Sequence, residues 1–342
     1  MQPAEHAAGR LKQLRLREGL TQSKFAEKLE VSQYKISRME HGEDTVPAEV
    51  MAKATRLFNL PAEYFSRPPH SYERNSLNFR RTKMTMKAQD RVIAHFAELE
   101  EMVQRTTLNI PQADLSMERP RSAEPLSLGA VELVANKVRA LLNLGTGPVR
   151  NVTRAMESAG VVVAPLQIEG LPLDEFDGIS SPSSSPRVRV TAYAPSSSGD
   201  RHRFTLAHEL GHLVMHTLWR PESESVREKE AHMFAGAFLL PRSLIDGVVN
   251  EGTTLKQFAE VKSETGVSIQ AIVRRARDLA LISPDRYTSL LIQISGRGWR
   301  KKEPVEVQLE KEVLFSRILE EYKARNVVSI FNRSQGEKEF GS

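Results

Sequence analysis

Two histidines four residues apart constrain this 342-residue chain more tightly than anything else in it. They are His208 and His212, in the string Phe204-Thr-Leu-Ala-His-Glu-Leu-Gly-His-Leu-Val-Met-His216. Residues i and i+4 share one face of a helix, so a helix here brings two imidazoles to one zinc ion. Glu209 lies one position round, close enough to polarise water on the metal but poorly aimed to be a ligand. Zinc brings the pKa of such a water to about 7, so Glu209 can accept its proton and a peptide carbonyl can be attacked. The chain has no Cys. Disulfide scaffolds, Cys-ligated zinc or iron–sulfur sites and thiol nucleophiles are therefore excluded, and a metal must be held by His, Asp or Glu. Gly211 costs the helix about 1 kcal/mol relative to Ala, which points to another segment passing close by.

A third ligand is needed. His216 is four residues further on, but His208 and His216 would lie about 12 Å apart along one helix, too far for one metal. His216 is therefore expected either to be structural or to stand behind the ligands. The next helix, expected over 226–240, offers two glutamates. Ser225-Val-Arg-Glu228 matches a capping box, which gives Glu228 a structural task. Glu230 shares a face with Phe234, Ala237 and Phe238, and a carboxylate on a buried face is costly unless paired or bound to a cation. Glu230 is the expected ligand. His232, about 200° round from Glu230, is not.

The first 67 residues read as all-helical. Thr21 and Ser32 stand where N-caps belong, Gly42 where a left-handed C-terminal residue belongs, and Pro47 and Pro61 suit the starts of further short helices. Phe25, Ala26, Leu29, Val31, Ile36 and Met39 are spaced to pack two helices together. That leaves Gln33, Tyr34, Ser37 and Arg38 on the open side of the second helix, where Gln and Arg suit base edges in a major groove. Gln22 and Lys35 suit phosphate contact or bracing. Residues 70–91 are basic (Arg74, Arg80, Arg81, Lys83, Lys87, Arg91), and either track a phosphate backbone or form a solvated face. A helix is expected over 84–105 and a proline-bearing linker over 109–127.

Beyond the linker the pattern is mixed. Helices are expected over 130–142, 149–159 and 204–218. Strands are expected over 160–165 and 188–193, the latter as an edge to which an extended substrate could add. Residues 254–282 repeat a helix-turn-helix cadence, with Gly266 in the turn and Ser268 as cap. Packing is the favoured reading, and DNA contact through Arg274, Arg275 and Arg277 the other. The last forty or so residues are polar and poorly patterned.

Two resemblances follow from these strings. Arg203-Phe-Thr-Leu-Ala-His-Glu-Leu-Gly-His-Leu-Val-Met-His216 and Glu230-Ala-His-Met-Phe-Ala-Gly-Ala-Phe-Leu-Leu-Pro241 resemble the paired helices of the ImmA/IrrE zinc metallopeptidases. Phe176-Asp-Gly-Ile-Ser180 is similar to the segment preceding that family's edge strand. The likeness spans roughly 126–300. It implies His208, His212 and Glu230 as zinc ligands and Glu209 as general base. Where many members have an Asn-containing strand end, this chain has Ala192-Tyr-Ala-Pro195, and Tyr193 and His202 are candidates for oxyanion stabilisation. Leu20 through Gly42 resembles an XRE/Cro-type helix-turn-helix, implying DNA contacts by Gln22, Gln33, Tyr34, Lys35, Ser37 and Arg38.

The fold expected is mainly α with a small β-sheet. An all-α helix-turn-helix domain (1–67) precedes a basic helical linker (68–125), an α+β zincin-like peptidase domain (126–253) and a C-terminal helical region with a tail (254–342). Net charge is +5, yet residues 1–67 hold 11 Lys/Arg against 9 Asp/Glu, so the excess lies elsewhere. No signal peptide or membrane-spanning run is visible, and a cytoplasmic protein is expected. The implied function is a DNA-binding regulator, dimeric on an operator, with a zinc endopeptidase that cuts a repressor-type or antitoxin-like protein or its own linker. The family's theme is release of stress or mobile-element genes. The competing reading is a regulator whose peptidase-like domain only senses, dimerises or binds a partner.

Overall fold

Apolar spacing and caps build the N-terminal helices as the sequence suggests. In the computed structural model, residues 3–73, 77, 84–117, 124–171, 176–182, 187–195 and 198–324 are described. They divide into two compact units, with residues 1–77, 81–102 and 168–175 in the first and the remainder in the second.

The first unit begins with α1 (Pro3–Arg17), α2 (Gln22–Leu29), α3 (Gln33–Glu40) and α4 (Ala48–Leu57). Thr21 Oγ1 accepts from the Lys24 amide and Ser32 Oγ from the Lys35 amide, so both expected N-caps are present. Gly42 adopts φ 72°, the left-handed region expected for it. Leu11, Leu14, Phe25, Ala26, Leu29, Ile36 and Met39 are buried together. Arg15 joins the α3 end by two hydrogen bonds to Glu40, at 2.6 and 2.9 Å.

Helix α5 (Met86–Gln104) belongs largely to this unit rather than to a solvated linker. Its acidic face meets the basic face of the preceding residues: Glu98 pairs with Arg17, Glu101 with Arg10 and Glu100 with His70. Arg91 donates to the Arg17 carbonyl at 3.2 Å, so this cation braces the unit. Arg74, Arg80, Arg81 and Lys83, the centre of the basic stretch, lie outside the described residues.

The second unit holds one sheet among the described residues, in the order β1-β3-β2. β1 (Val162–Pro165) runs parallel to β3 (Val190–Tyr193), with Val162 opposite Val190. β2 (Gly178–Ser180) runs antiparallel to β3, with Ile179 opposite Ala192. β3 is thus the central strand, which corrects the expectation that residues 188–193 form a free edge. Both of its ladders are occupied. The edge beside the histidine helix is β2, three residues too short for an alternating pattern to show.

Eight helices accompany this sheet in the second unit among the described residues. They are α6 (Leu128–Leu141), α7 (Val152–Ser158), α8 (Gly199–Met215), α9 (Glu224–Leu239), α10 (Arg242–Ile245), α11 (Leu255–Thr265), α12 (Ile269–Asp278) and α13 (Pro284–Gly296). Of these, α7 and α8 pack directly against the strands. Leu206, Leu210, Leu213 and Val214 of α8 share the core with Phe234, Ala235 and Phe238 of α9. Gly266 (φ 66°) and the Ser268 cap form the turn between α11 and α12 as expected. Arg275 is buried, donating to the Leu240 carbonyl and pairing with Glu132, while Arg274 pairs with Asp278. These contacts agree with the packing reading of this helical pair.

Part of the poorly patterned C-terminal stretch is ordered by its carboxylates. Glu303 accepts from the Ile269 and Gln270 amides at the start of α12. Glu310 accepts from the Val152 and Thr153 amides at the start of α7 and pairs with buried Arg203. Carboxylates at helix N-termini satisfy orphan amides and oppose the helix dipole. No helix of the described residues is long and apolar enough to cross a membrane.

Candidate metal centre

The metal-facing atoms come from adjacent helices, α8 and α9. One turn of α8 separates His208 from His212, and their Nε2 atoms lie 3.2 Å apart. From α9, Glu228 places Oε2 at 3.3 Å from His208 Nε2 and Oε1 at 3.2 Å from His212 Nε2. Ligands about 2.0–2.1 Å from a tetrahedral zinc are separated by about 3.3 Å, so this two-imidazole, one-carboxylate set fits such an ion. The protonation states agree. Burial pushes His212 down to about 3, against the opposing pull of Glu228, which keeps the imidazole neutral. Burial opposes ionisation of Glu228, but hydrogen bonds from His208 and His212 outweigh it and hold the carboxyl well below the usual range. Neutral His and ionised Glu are the metal-binding forms.

The third position is where structure and sequence expectation part. Glu228 occupies it, and Glu230 does not. The capping box that would have engaged Glu228 is absent, because α9 starts at Glu224, one residue before Ser225, with Ser223 as N-cap and no side-chain cap bond. Glu228 is therefore released to face α8. Glu230 is fully buried as its neighbours suggested, but its compensation is different. Its Oε2 lies 2.9 Å from His216 Nε2, and its Oε1 accepts from the Leu126 amide at 2.8 Å. His216, expected to be structural or to stand behind the ligands, lies with Nδ1 2.9 Å from His212 Nδ1.

Glu209 is buried beside β2. Ser180 Oγ donates to its Oε2 at 2.7 Å. Burial pushes the Glu209 carboxyl up to about 8, with the charge on His208 and the Ser180 hydrogen bond pulling the other way. A Cβ at Gly178 would stand 2.9 Å from Glu209 Cγ and Oε1, so a side chain there would displace the Glu209 carboxyl. Neither Ser180 nor Gly178 is among the candidates drawn from sequence. Their one signal was the Phe176-Asp-Gly-Ile-Ser180 run. Gly211 does admit a close neighbour: a Cβ there would meet Phe234 Cδ1 at 3.0 Å and Ala231 Cα at 3.2 Å.

The two oxyanion candidates are engaged with other groups. Tyr193 Oη donates to Glu312 at 3.3 Å, and His202 stacks edge-on against Tyr193 with its Nε2 3.4 Å from Thr153 Oγ1. Phe204, one turn before His208, and His232, one turn after Glu228, meet with tilted rings 5.0 Å apart and help line a cavity of about 1050 Å³. Trp299, Tyr287 and Arg274 also line it.

On the helix-turn-helix, Gln33, Tyr34 and Lys35 are exposed on the first turn of α3, with Ser37 and Arg38 half-buried beside them. Gln33 Nε2 donates to Gln22 Oε1 at 3.1 Å, and Gln22 donates to Glu40. Gln22 therefore holds Gln33 upright. Arg38 is drawn aside by a two-point pair with Asp44, at 2.8 Å for each bond.

Comparison with protein families agrees with this division. An IrrE N-terminal-like domain matches residues 156–277, and a helix-turn-helix domain matches residues 6–64. No curated protein matches the chain. The chain thus joins a helix-turn-helix DNA-binding domain to a domain of the IrrE N-terminal-like peptidase family, the composition of a transcriptional regulator.

Proposed function

We propose that this chain is a DNA-binding regulator with an intrinsic zinc endopeptidase, cutting a repressor-type or antitoxin-like protein, or its own linker near 68–125, to change gene expression. One observation carries the reading: three donor atoms from His208, His212 and Glu228 stand at zinc-ligand spacing beside a buried, hydrogen-bonded Glu209. A purely structural metal would need no such carboxyl.

A zinc ion in this site would polarise a peptide carbonyl and lower the pKa of an attacking water to about 7. The chain's own residues supply the rest. Glu209 holds one oxygen on Ser180, which leaves Oε1 to take the proton and later return it to the leaving amine. A carboxyl with proton affinity near neutrality suits both transfers. β2 offers the sheet edge along which an extended substrate can pair. On DNA, Gln33, Tyr34, Ser37 and Arg38 face the major groove, with Gln22 and Lys35 bracing or touching phosphate. The protein acts in the cytoplasm as a homodimer on a two-fold operator.

The test is Glu209→Gln, assayed by incubating zinc-loaded protein with XRE-type repressors and by promoter binding. Cleavage falls by about 10²–10⁴-fold while DNA affinity stays unchanged. Undiminished cleavage, or regulation unaffected by the substitution, contradicts the proposal.

A further inference from the structure

Behind His212 lies a run of buried groups that the proposed chemistry does not use. His212, His216 and Glu230 have side chains with no exposed surface. Their contacts form a line: His212 Nδ1 to His216 Nδ1 at 2.9 Å, His216 Nε2 to Glu230 Oε2 at 2.9 Å, and the Leu126 amide onto Glu230 Oε1 at 2.8 Å. The residues come from α8, α9 and the start of the segment leading into α6.

Valence permits one proton order along this line when His212 serves a metal. His212 Nε2 faces His208 and Glu228, so a ligating His212 has its lone pair there and its proton on Nδ1. Two ring nitrogens 2.9 Å apart need one donor and one acceptor, so His216 Nδ1 is bare. A neutral His216 then has its proton on Nε2, where it donates to the Glu230 carboxylate. That carboxylate also accepts from the Leu126 amide, so both oxygens act as acceptors. With His212 ligating through Nε2, no other arrangement of neutral rings satisfies these three contacts.

We infer that His216 and Glu230 are positioning residues that fix the tautomer and ring orientation of His212, with the negative charge of Glu230 reaching the metal through two imidazoles in series. Groups that donate or accept behind a metal-bound histidine orient it and raise its basicity, and losing them costs about 10–100-fold in metal affinity. The inference rests on the proposed zinc centre. It gives Glu230, displaced from the ligand set by Glu228, a task that accounts for its complete burial. It also places the backbone of residue 126 at the end of the same line.

The experiment uses the full chain with ¹⁵N-labelled histidine, free of zinc and loaded with it, together with Glu230→Gln, His216→Leu and His216→Gln. The ring nitrogen shifts show His216 protonated on Nε2 in both states, and His212 protonated on Nδ1 once zinc is bound. Zinc affinity falls about 10–100-fold in Glu230→Gln and His216→Leu. His216→Gln, whose amide can accept from His212 and donate to Glu230, regains most of it. The visible spectrum of the cobalt-substituted protein shifts in the first two variants and returns toward wild type in the third. A purely packing role would lower the melting temperature of the zinc-free variants without moving affinity or spectrum, and that result overturns the inference. So does His216 protonated on Nδ1. A wild type that holds no zinc contradicts the zinc reading, and the His216 tautomer in the metal-free spectra still decides the relay.

Discussion

At the scale of single residues, the site depends on where small side chains allow large ones to stand. Gly211 sits between the two histidines and faces the backbone of Ala231 across the helix pair. Alanine there gains about 1 kcal/mol of helix propensity but forces α8 and α9 apart, and overpacking of this kind costs about 1–3 kcal/mol. Gly211→Ala is expected to lower the melting temperature and to weaken zinc binding together, read by calorimetry and metal titration. Unchanged values for both would show that the helices separate freely. The histidine pair and the adjacent Glu209, the proposed general base, were legible in the sequence because i,i+4 spacing is a local rule. The choice between Glu228 and Glu230 was not. Both readings of that choice were sound locally: a capping-box string for one, a buried face for the other. What decided it was the true start of α9, set by Ser223, and the presence of His216 to satisfy Glu230.

At the scale of elements, long amphipathic helices were readable and short or contact-dependent pieces were not. α6 declares itself by apolar spacing, whereas α8 and α9 are buried on most sides and are marked instead by the His208–His212 pair and by the apolar run after Glu230. β2 has three residues, too few for a period, and is held by its ladder to β3 and by its contacts with α8. Residues 303–310 alternate Val305, Val307 and Leu309 with polar residues as a strand would, yet they form no strand, and glutamates seated on helix ends hold them in place. Glu310→Ala leaves the Arg203 guanidinium buried without its carboxylate, and breaking a buried pair from one side costs about 3–5 kcal/mol. Denaturant unfolding of the variant measures that loss, and a change below about 1 kcal/mol would contradict the account.

α5 carries a pH dependence of its own. Burial, followed by the charges on Arg17 and Arg91, pushes His95 down to about 4, from 6.5 when unfolded. The unfolded chain therefore takes up a proton that the folded chain resists. Stability is full above pH 6.5 and falls as pH drops toward 4, by about 2 kcal/mol at pH 5. The first unit should melt at lower temperature at pH 5 than at pH 7, and His95→Gln should flatten that slope. A slope unchanged by the substitution would assign it to other groups.

At the scale of the whole molecule, the chain separates two kinds of chemistry. The helix-turn-helix is nearly neutral, and in the proposed reading a few polar side chains of α3 read base edges. Cations that sequence alone would assign to phosphate are partly committed to protein contacts: Arg91 to the Arg17 carbonyl, Arg274 to Asp278 and Arg275 to Glu132. Net charge is therefore a poor guide to the DNA-binding surface here, and the polar face of α3 is a better one. The second unit gathers its three candidate ligands from two helices, its general base from one of them, and the partner of that base from a sheet edge. The central claim is that these parts form a zinc peptidase centre. Anomalous diffraction at the zinc edge from crystals of the zinc-loaded protein tests it most directly. The account predicts one ion about 2.0–2.2 Å from His208 Nε2, His212 Nε2 and a Glu228 oxygen, with Glu230 turned to His216. An ion held by Glu230, or no ion at the histidine pair, would contradict it.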